Sequence, residues 1–279
     1  MTQPELAAAP AMRFPLVAVD IGNTRLKLGL WPRPPQLAQG HPAPEPVEPL
    51  SLSPGDWDVL ARWIEQHVPP GTPWHLASVQ RHYLADLVHF LGQRRSQDPV
   101  LLLNHELLPL PVRLPKPDHV GIDRLLTALA AWALRSGDEP LVVVDLGTAV
   151  TVDYISARGE FCGGAILPGV AMSAQALEHF TDLLPLVPMD QLDQPPPALG
   201  TDTVSAIRSG LYWGVVGAVR ELASRLAPRG AHPQLVLTGG AAPAVARLLD
   251  PQARCEPHLS LLGVALAARH WCEKNCGEP

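Results

Sequence analysis

A seven-residue unit occurs twice in this chain and limits the folds open to it. Leu16-Val17-Ala18-Val19-Asp20-Ile21-Gly22 matches Leu141-Val142-Val143-Val144-Asp145-Leu146-Gly147, 125 positions later, at five of seven residues, and both differences are conservative. Each copy reads as an apolar strand ending in Asp-x-Gly, followed by a short turn (Asn23-Thr24, then Thr148-Ala149) and a second strand. One valine-rich strand arises easily by chance. The whole unit appearing twice implies two related halves facing one another across a cleft.

The rest of the chain alternates in the same sense. Helical spacing covers residues 56–67, 81–95 and 122–135, with short apolar runs at 74–79 and 100–103 between them. Residues 141–145, 151–156 and 160–167 read as three consecutive strands. Helices at 169–182 and 203–226, a strand at 234–238 and two closing helices follow. Strands mixed with crossover helices imply an α/β class with antiparallel hairpins opening each half. The expected division is a disordered tail over 1–13, with Met12 an alternative start, then a first half over 14–120 and a second half over 121–279 that includes the linking helix. Proline is unusually abundant: 32 of 279 residues, more than twice the usual ~5%. Eight of the 23 residues from Pro32 to Pro54 are proline, so that stretch is expected to be an extended loop. Pro195-Pro196-Pro197 reads as a second surface connection.

Charge and composition exclude several tasks. A net charge of −6 and 5% aromatic residues argue against a nucleic-acid binder, which needs a basic footprint and stacking platforms. No apolar run reaches the ~18 to 20 residues of a membrane span, and the N-terminus lacks the pattern of a secretory signal. Four cysteines (Cys162, Cys255, Cys272 and Cys276) are too few and too unevenly placed for a disulfide framework. A cytoplasmic protein is expected. His270, Cys272 and Cys276 cluster in sequence but lack a fourth zinc ligand.

A strand ending in Asp-x-Gly presents a carboxylate at its carboxyl end, and the glycine lets backbone N–H groups approach a ligand. Asn23, Thr24 and Thr148 can add donors to phosphate oxygens, and Lys27 a point charge. Carboxylates repel phosphate, so the arrangement requires a cation between them, for which chemistry alone offers Mg2+ at Asp145 as well as at Asp20. Walker A and Gly-x-Gly-x-x-Gly patterns are both missing. A further constellation, Gly121-Ile122-Asp123-Arg124, opens an apolar helix. Asp123 suits the helix dipole, whereas Arg124 beside it calls for an anion. An Asp that accepts a hydroxyl proton next to an Arg that holds a carboxylate fits phosphorylation of an acidic alcohol.

Asp20-Ile21-Gly22-Asn23-Thr24-Arg25-Leu26-Lys27, Gly121-Ile122-Asp123-Arg124 and Asp145-Leu146-Gly147-Thr148-Ala149-Val150-Thr151-Val152-Asp153 resemble the three signature blocks of type III pantothenate kinases. Gly163 to Gly169, Thr181 to Pro185, Gly200 to Thr203 and Thr238-Gly239-Gly240 extend the likeness in the same order. The resemblance implies the duplicated ribonuclease-H-like (actin-like ATPase) fold with a central nucleotide cleft. It also implies ATP-dependent phosphorylation of pantothenate at its primary hydroxyl, the first step toward coenzyme A, by a homodimer using Mg2+ and a monovalent cation, K+ or NH4+. Carried over by position, Asp20, Gly22, Asn23, Thr24, Lys27 and Thr148 bind ATP, with Asp20 also contacting Mg2+. Asp145 takes the monovalent cation, Gly121, Ile122, Asp123, Arg124 and Thr181 bind pantothenate, and Asp123 accepts the proton. The family has a tyrosine at the pantothenate-contacting position that Leu114 occupies here. That change bears on affinity rather than chemistry, since one hydrogen bond is worth ~0.5 to 1.5 kcal/mol; His119 or Lys116 could replace it. Rival readings are a non-catalytic regulator on the same fold, a kinase for a different small acidic alcohol, and a purely structural protein. The last leaves the duplicated loops without a purpose.

Overall fold

The two copies of the repeat become the central strands of two separate sheets. In the first, β1 (Leu16–Ile21) lies between antiparallel β2 (Leu26–Trp31) and parallel β4 (Trp74–Ser78), with β3 (Val47–Leu52) and β5 (Val100–Leu102) outermost. In the second, β6 (Leu141–Leu146) takes the central place. There β7 (Ala149–Ile155) pairs antiparallel with β6 and β8 (Phe161–Pro168) antiparallel with β7 on one side, and β9 (Gln234–Thr238) and β10 (Arg254–Cys255) run parallel to β6 on the other. The strand order is the same in both sheets, so the chain has the expected duplicated α/β fold of the ribonuclease-H-like (actin-like) kind. The computed structural model describes residues 13–37, 42–189 and 194–275. The tail expected over 1–13 lies outside them apart from Arg13, as do Cys276 and residues 38–41 of the proline-rich stretch.

All six residues of β1 are buried, as a central strand covered on both faces requires. Alternation sorts them. Val17, Val19 and Ile21 pack against Leu60 and Trp63 of α1 (Trp57–His67) and Leu87 and Phe90 of α2 (Arg81–Arg94). Asp20 takes the opposite face, where α7 (Leu259–Asn275) lies. The second sheet repeats the arrangement, with Val142, Val144 and Leu146 packed against α5 (Thr203–Leu226) and α6 (Ala242–Leu249). Asp145 therefore points away from that core. The N-terminus of α5 is closed by a reciprocal cap, the Asp202 carboxylate accepting from Ser205 N–H at 2.9 Å while the Ser205 hydroxyl takes the Asp202 N–H at 3.1 Å.

Three features differ from the expectation. The proline-rich stretch is not all loop, because residues 47–52 form β3. Pro49 is tolerated there because β3 is an edge strand. Trp63 Nε1–H donates to the Glu48 carbonyl at 2.9 Å and holds the strand down. Gly29 of β2 permits the approach, since a Cβ there would stand 2.5 Å from Pro46 Cβ. The helix expected over 169–182 stops earlier, as α4 (Val170–His179).

The division of the chain also runs elsewhere than at 120/121. One compact unit holds the residues up to Leu110, Pro115–Leu134 and those from His258 onward; the other holds Pro111–Leu114 and Arg135–Pro257. Both α3 (Ile122–Leu134) and α7 thus belong with the first sheet. They cross backbone to backbone at Gly263, where a Cβ would lie 2.3 Å from the Leu126 carbonyl oxygen.

Candidate active site

In the first unit, Asp20 is the penultimate residue of β1 and only 7% exposed. It stands opposite Lys27 across the β1–β2 hairpin, so the two side chains share a face. The turn between them is tight: Gly22 N–H donates to the Arg25 carbonyl at 3.0 Å. That N–H is therefore committed to the hairpin, and ligand donors at this loop come from the exposed residues Asn23, Thr24 and Arg25. The Asp20 carboxylate accepts a hydrogen bond from the Ser260 hydroxyl of α7 at 2.7 Å.

The Gly121–Arg124 block lies in the same unit, at the start of α3. Asp123 Oδ1 accepts the Arg124 N–H at 2.8 Å and would be 2.5 Å from a Cβ at position 121, so glycine there gives the carboxylate its room. Ile122 is buried and anchors the turn, while Asp123 and Arg124 are half-buried. Val79 joins this block to the first loop. Its N–H donates to the Ile21 carbonyl at 3.1 Å, and its Cγ1 would be 3.6 Å from a Cβ at Gly121. Asp20, the turn of Asn23 and Thr24 and the Gly121–Arg124 block are thereby brought together within the first unit. On β4, four residues before Val79, His75 stands beside Ala18 with 1% exposure. Burial lowers its pKa to about 4, so it is neutral near pH 7.

In the second unit, Asp145 has the same place on β6, with Thr151 opposite on β7 and Thr238 alongside on β9. Its Oδ1 faces two glycines, 3.4 Å from where a Cβ at Gly147 would be and 2.5 Å from one at Gly239. Gly239 has φ +93°, a conformation that glycine alone takes up readily. Gly147 N–H, like Gly22 N–H, is used within the hairpin, on the Ala149 carbonyl at 3.1 Å. The Thr148 carbonyl accepts Gly169 N–H at 3.0 Å, which sets the start of α4 against the loop.

Thr181 is not beside these residues. It follows α4, whose ten residues put about 15 Å between its ends, and its hydroxyl donates to the Leu177 carbonyl at 2.7 Å. Leu114 lies against Gly163, 3.3 Å from where a Cβ would be. Its segment adds to the edge of β8, with Arg113 N–H donating to the Phe161 carbonyl at 2.8 Å. Lys116 and His119 are exposed, and His119 sits 3.6 Å from the Asp118 carboxylate.

Sequence reasoning missed Ser260, Val79 and the role of Gly239. The lone hydroxyl in His258-Leu259-Ser260-Leu261-Leu262 was the available signal for Ser260, and it reads equally well as a helix start. Among the described residues no group of three or more His, Cys, Asp or Glu is placed to hold a metal by itself. No helix of the described residues is long and apolar enough to cross a membrane.

The sequence profile of the type III pantothenate kinase family matches residues 16–225. A type III pantothenate kinase of Symbiobacterium thermophilum is 33% identical over 269 residues, covering 90% of this chain and 95% of its own. One from Rhodospirillum rubrum is 38% identical over 219 residues, 78% of each chain, and one from Moorella thermoacetica is 30% identical, covering 90% of this chain and 97% of its own. Among solved structures, the Lmo2764 protein of Listeria monocytogenes superposes with a TM-score of 0.50 at 14% identity, over 93% of this chain and 99% of that one. That likeness concerns the fold alone.

Proposed function

Since the chain belongs to the type III pantothenate kinase family, we propose that it transfers the γ-phosphoryl group of ATP to the primary hydroxyl of pantothenate, the first committed step toward coenzyme A. The observation that carries this reading is the placement of Asp20, with its exposed turn and Lys27, in one packed unit with Gly121-Ile122-Asp123-Arg124, joined through Val79. A phosphate-binding loop and a carboxylate–guanidinium pair are what a kinase for an acidic alcohol needs.

The residue roles follow from the chemistry of each group. Asn23, Thr24 and Thr148 contact ATP as hydrogen-bonding turn residues, Gly22 lets the chain turn tightly against the nucleotide, and Lys27 offsets phosphate charge. Asp123 accepts the proton of the attacking hydroxyl, Arg124 holds the pantothenate carboxylate, and Gly121 and Ile122 shape the acceptor site around them. Asp20, a buried carboxylate beside the phosphate loop, would hold a Mg2+ ion, which would supply positive charge to the phosphates of ATP. Asp145, in its cradle of glycine and threonine residues, fits a monovalent cation, K+ or NH4+.

The protein is proposed to act as a homodimer. Phe180, Leu183, Leu186 and Leu199, exposed by 80%, 87%, 55% and 79%, give the second unit an apolar surface suited to a second copy. A cytoplasmic setting, where ATP is supplied and thiols stay reduced, agrees with the free thiols of Cys162 and Cys255.

The test is ADP release from Mg·ATP with and without pantothenate, first in K+ and then in Na+ buffer. Release that requires pantothenate and K+, with phosphopantothenate identified by mass, supports the proposal. A folded protein that binds ATP but gives no pantothenate-dependent release refutes it, and points to a regulator or to another alcohol.

A further inference from the structure

We propose that Ser260 is a positioning residue for this kinase: from the first turn of α7 its hydroxyl fixes the orientation of the Asp20 carboxylate that Mg·ATP meets. The inference deepens the reading above and rests on its assignment of Asp20 to ATP and Mg2+.

Distance and burial carry it. Ser260 Oγ donates to Asp20 Oδ2 at 2.7 Å, within the range of hydrogen bonds to an ionised acceptor, and the two residues are 5% and 7% exposed. A carboxylate so far removed from water needs protein donors if it is to stay charged. The bond joins residues 240 positions apart, so it exists only in the folded unit. Ser260 is otherwise out of character with its surroundings, since Leu259, Leu261, Leu262 and Val264 are all buried and apolar. Its hydroxyl is spent on Asp20 rather than on the backbone of its own helix. The first turn of α7 adds the favourable sign of its dipole to the same carboxylate.

The helix that carries Ser260 is held where it is. One turn further along, Gly263 lies so close to α3 that a Cβ would be 2.3 Å from the Leu126 carbonyl oxygen. Leu261 reaches the sheet and would be 3.7 Å from a Cβ at Gly29 of β2. Axial sliding of α7 would break both contacts, so the Ser260 hydroxyl meets Asp20 at a fixed point. The α3 helix clamped at Leu126 is also the helix that begins with Ile122 and Asp123. A serine hidden in the last helix thus sets the carboxylate of the first loop.

Ser260→Ala and Ser260→Thr in the full chain test this, with wild type alongside. Thermal melting checks folding, calorimetry measures Mg·ATP binding without pantothenate, and steady-state ADP release separates the two substrates. Loss of a hydrogen bond to a charged group should weaken Mg·ATP in Ser260→Ala, in both binding and KM, by about tenfold, with the KM for pantothenate within about twofold of wild type. Ser260→Thr, which keeps the hydroxyl, should recover most of the loss. Unchanged Mg·ATP binding in Ser260→Ala overturns the proposal. So does a loss that affects both substrates equally, follows a lowered melting temperature and is not relieved by threonine. If wild type itself shows no pantothenate-dependent turnover, the kinase reading fails, while calorimetry still decides the part played by Ser260.

Discussion

Alanine at Gly239 would test whether backbone shape holds the Asp145 carboxylate. At φ +93° an L side chain is in a left-handed conformation that costs about 1–2 kcal/mol. The new Cβ would also stand 2.5 Å from Asp145 Oδ1 and 2.6 Å from the Leu146 carbonyl oxygen, and overpacking of this kind adds about 1–3 kcal/mol. Together the terms reach about 2–5 kcal/mol if nothing moves. The two obstacles are not equally rigid. Leu146 is fixed in β6 and its carbonyl accepts Ala241 N–H at 3.3 Å, whereas the carboxylate can rotate about its side-chain bonds. Relaxation should therefore turn Asp145 away and leave a stability loss near the lower end, about 2–3 kcal/mol. The displaced carboxylate should then show as a several-fold rise in the K+ concentration needed for half-maximal ADP release. Urea denaturation gives the first quantity and a K+ titration at saturating Mg·ATP and pantothenate the second. A variant within about 0.5 kcal/mol of wild type, with the same K+ requirement, would refute the idea that this turn holds Asp145.

Asp123→Asn keeps the size and removes the proton acceptor. Turnover should fall by about 10²- to 10⁴-fold while calorimetry still detects Mg·ATP binding, and near-normal turnover would take Asp123 out of the mechanism. His75 should make the protein sensitive to acid. Its pKa is about 4 in the folded chain against 6.5 unfolded, so the unfolded state takes up the proton first and stability falls as pH drops from 6.5 toward 4. Between pH 7.5 and 4.5 this one group accounts for about 2–3 kcal/mol. Denaturant unfolding of His75→Leu should show a pH-dependent loss smaller than that of wild type by about this amount; an equal loss in both proteins would show that other groups set the acid limit.

Much of this arrangement was legible in the sequence, for reasons that particular residues make plain. The central strands are legible because Leu16 to Ile21 and Leu141 to Leu146 are apolar runs with one carboxylate each, and a buried strand with Asp at its end has few other interpretations. The start of α3 is legible because Gly121 and Asp123 act locally, through a side chain that accepts the next N–H. What was hidden depends on contacts between distant segments. Ser260 has no local feature that distinguishes a ligand to Asp20 from a helix start. The β3 strand was masked by Pro49, since tolerance of proline depends on lying at a sheet edge, which residues 32–54 alone do not reveal. The place of α7 with the first sheet follows from the close approach of Gly263 to Leu126, and sequence order gives no hint of that pairing.

The duplicated unit delivers two carboxylates to equivalent strand positions, yet the neighbours of each give it a different chemistry. Asp20 stands opposite Lys27, has the exposed Arg25 in its turn, and accepts a hydrogen bond from the Ser260 hydroxyl. Positive side chains in that loop suit a polyphosphate, and a carboxylate with a fixed donor suits the divalent ion that accompanies it. Asp145 stands opposite Thr151 and beside Thr238, and its oxygen faces Gly147 and Gly239. Hydroxyl oxygens and bare backbone around one carboxylate make an oxygen-rich setting, the ground on which a singly charged cation is proposed for Asp145. Chemistry read from the repeat alone could assign Mg2+ to either aspartate, because the repeat is the same in both halves. The residues that separate the two assignments, Lys27 and Ser260 on one side and Thr151, Thr238 and Gly239 on the other, all lie outside it.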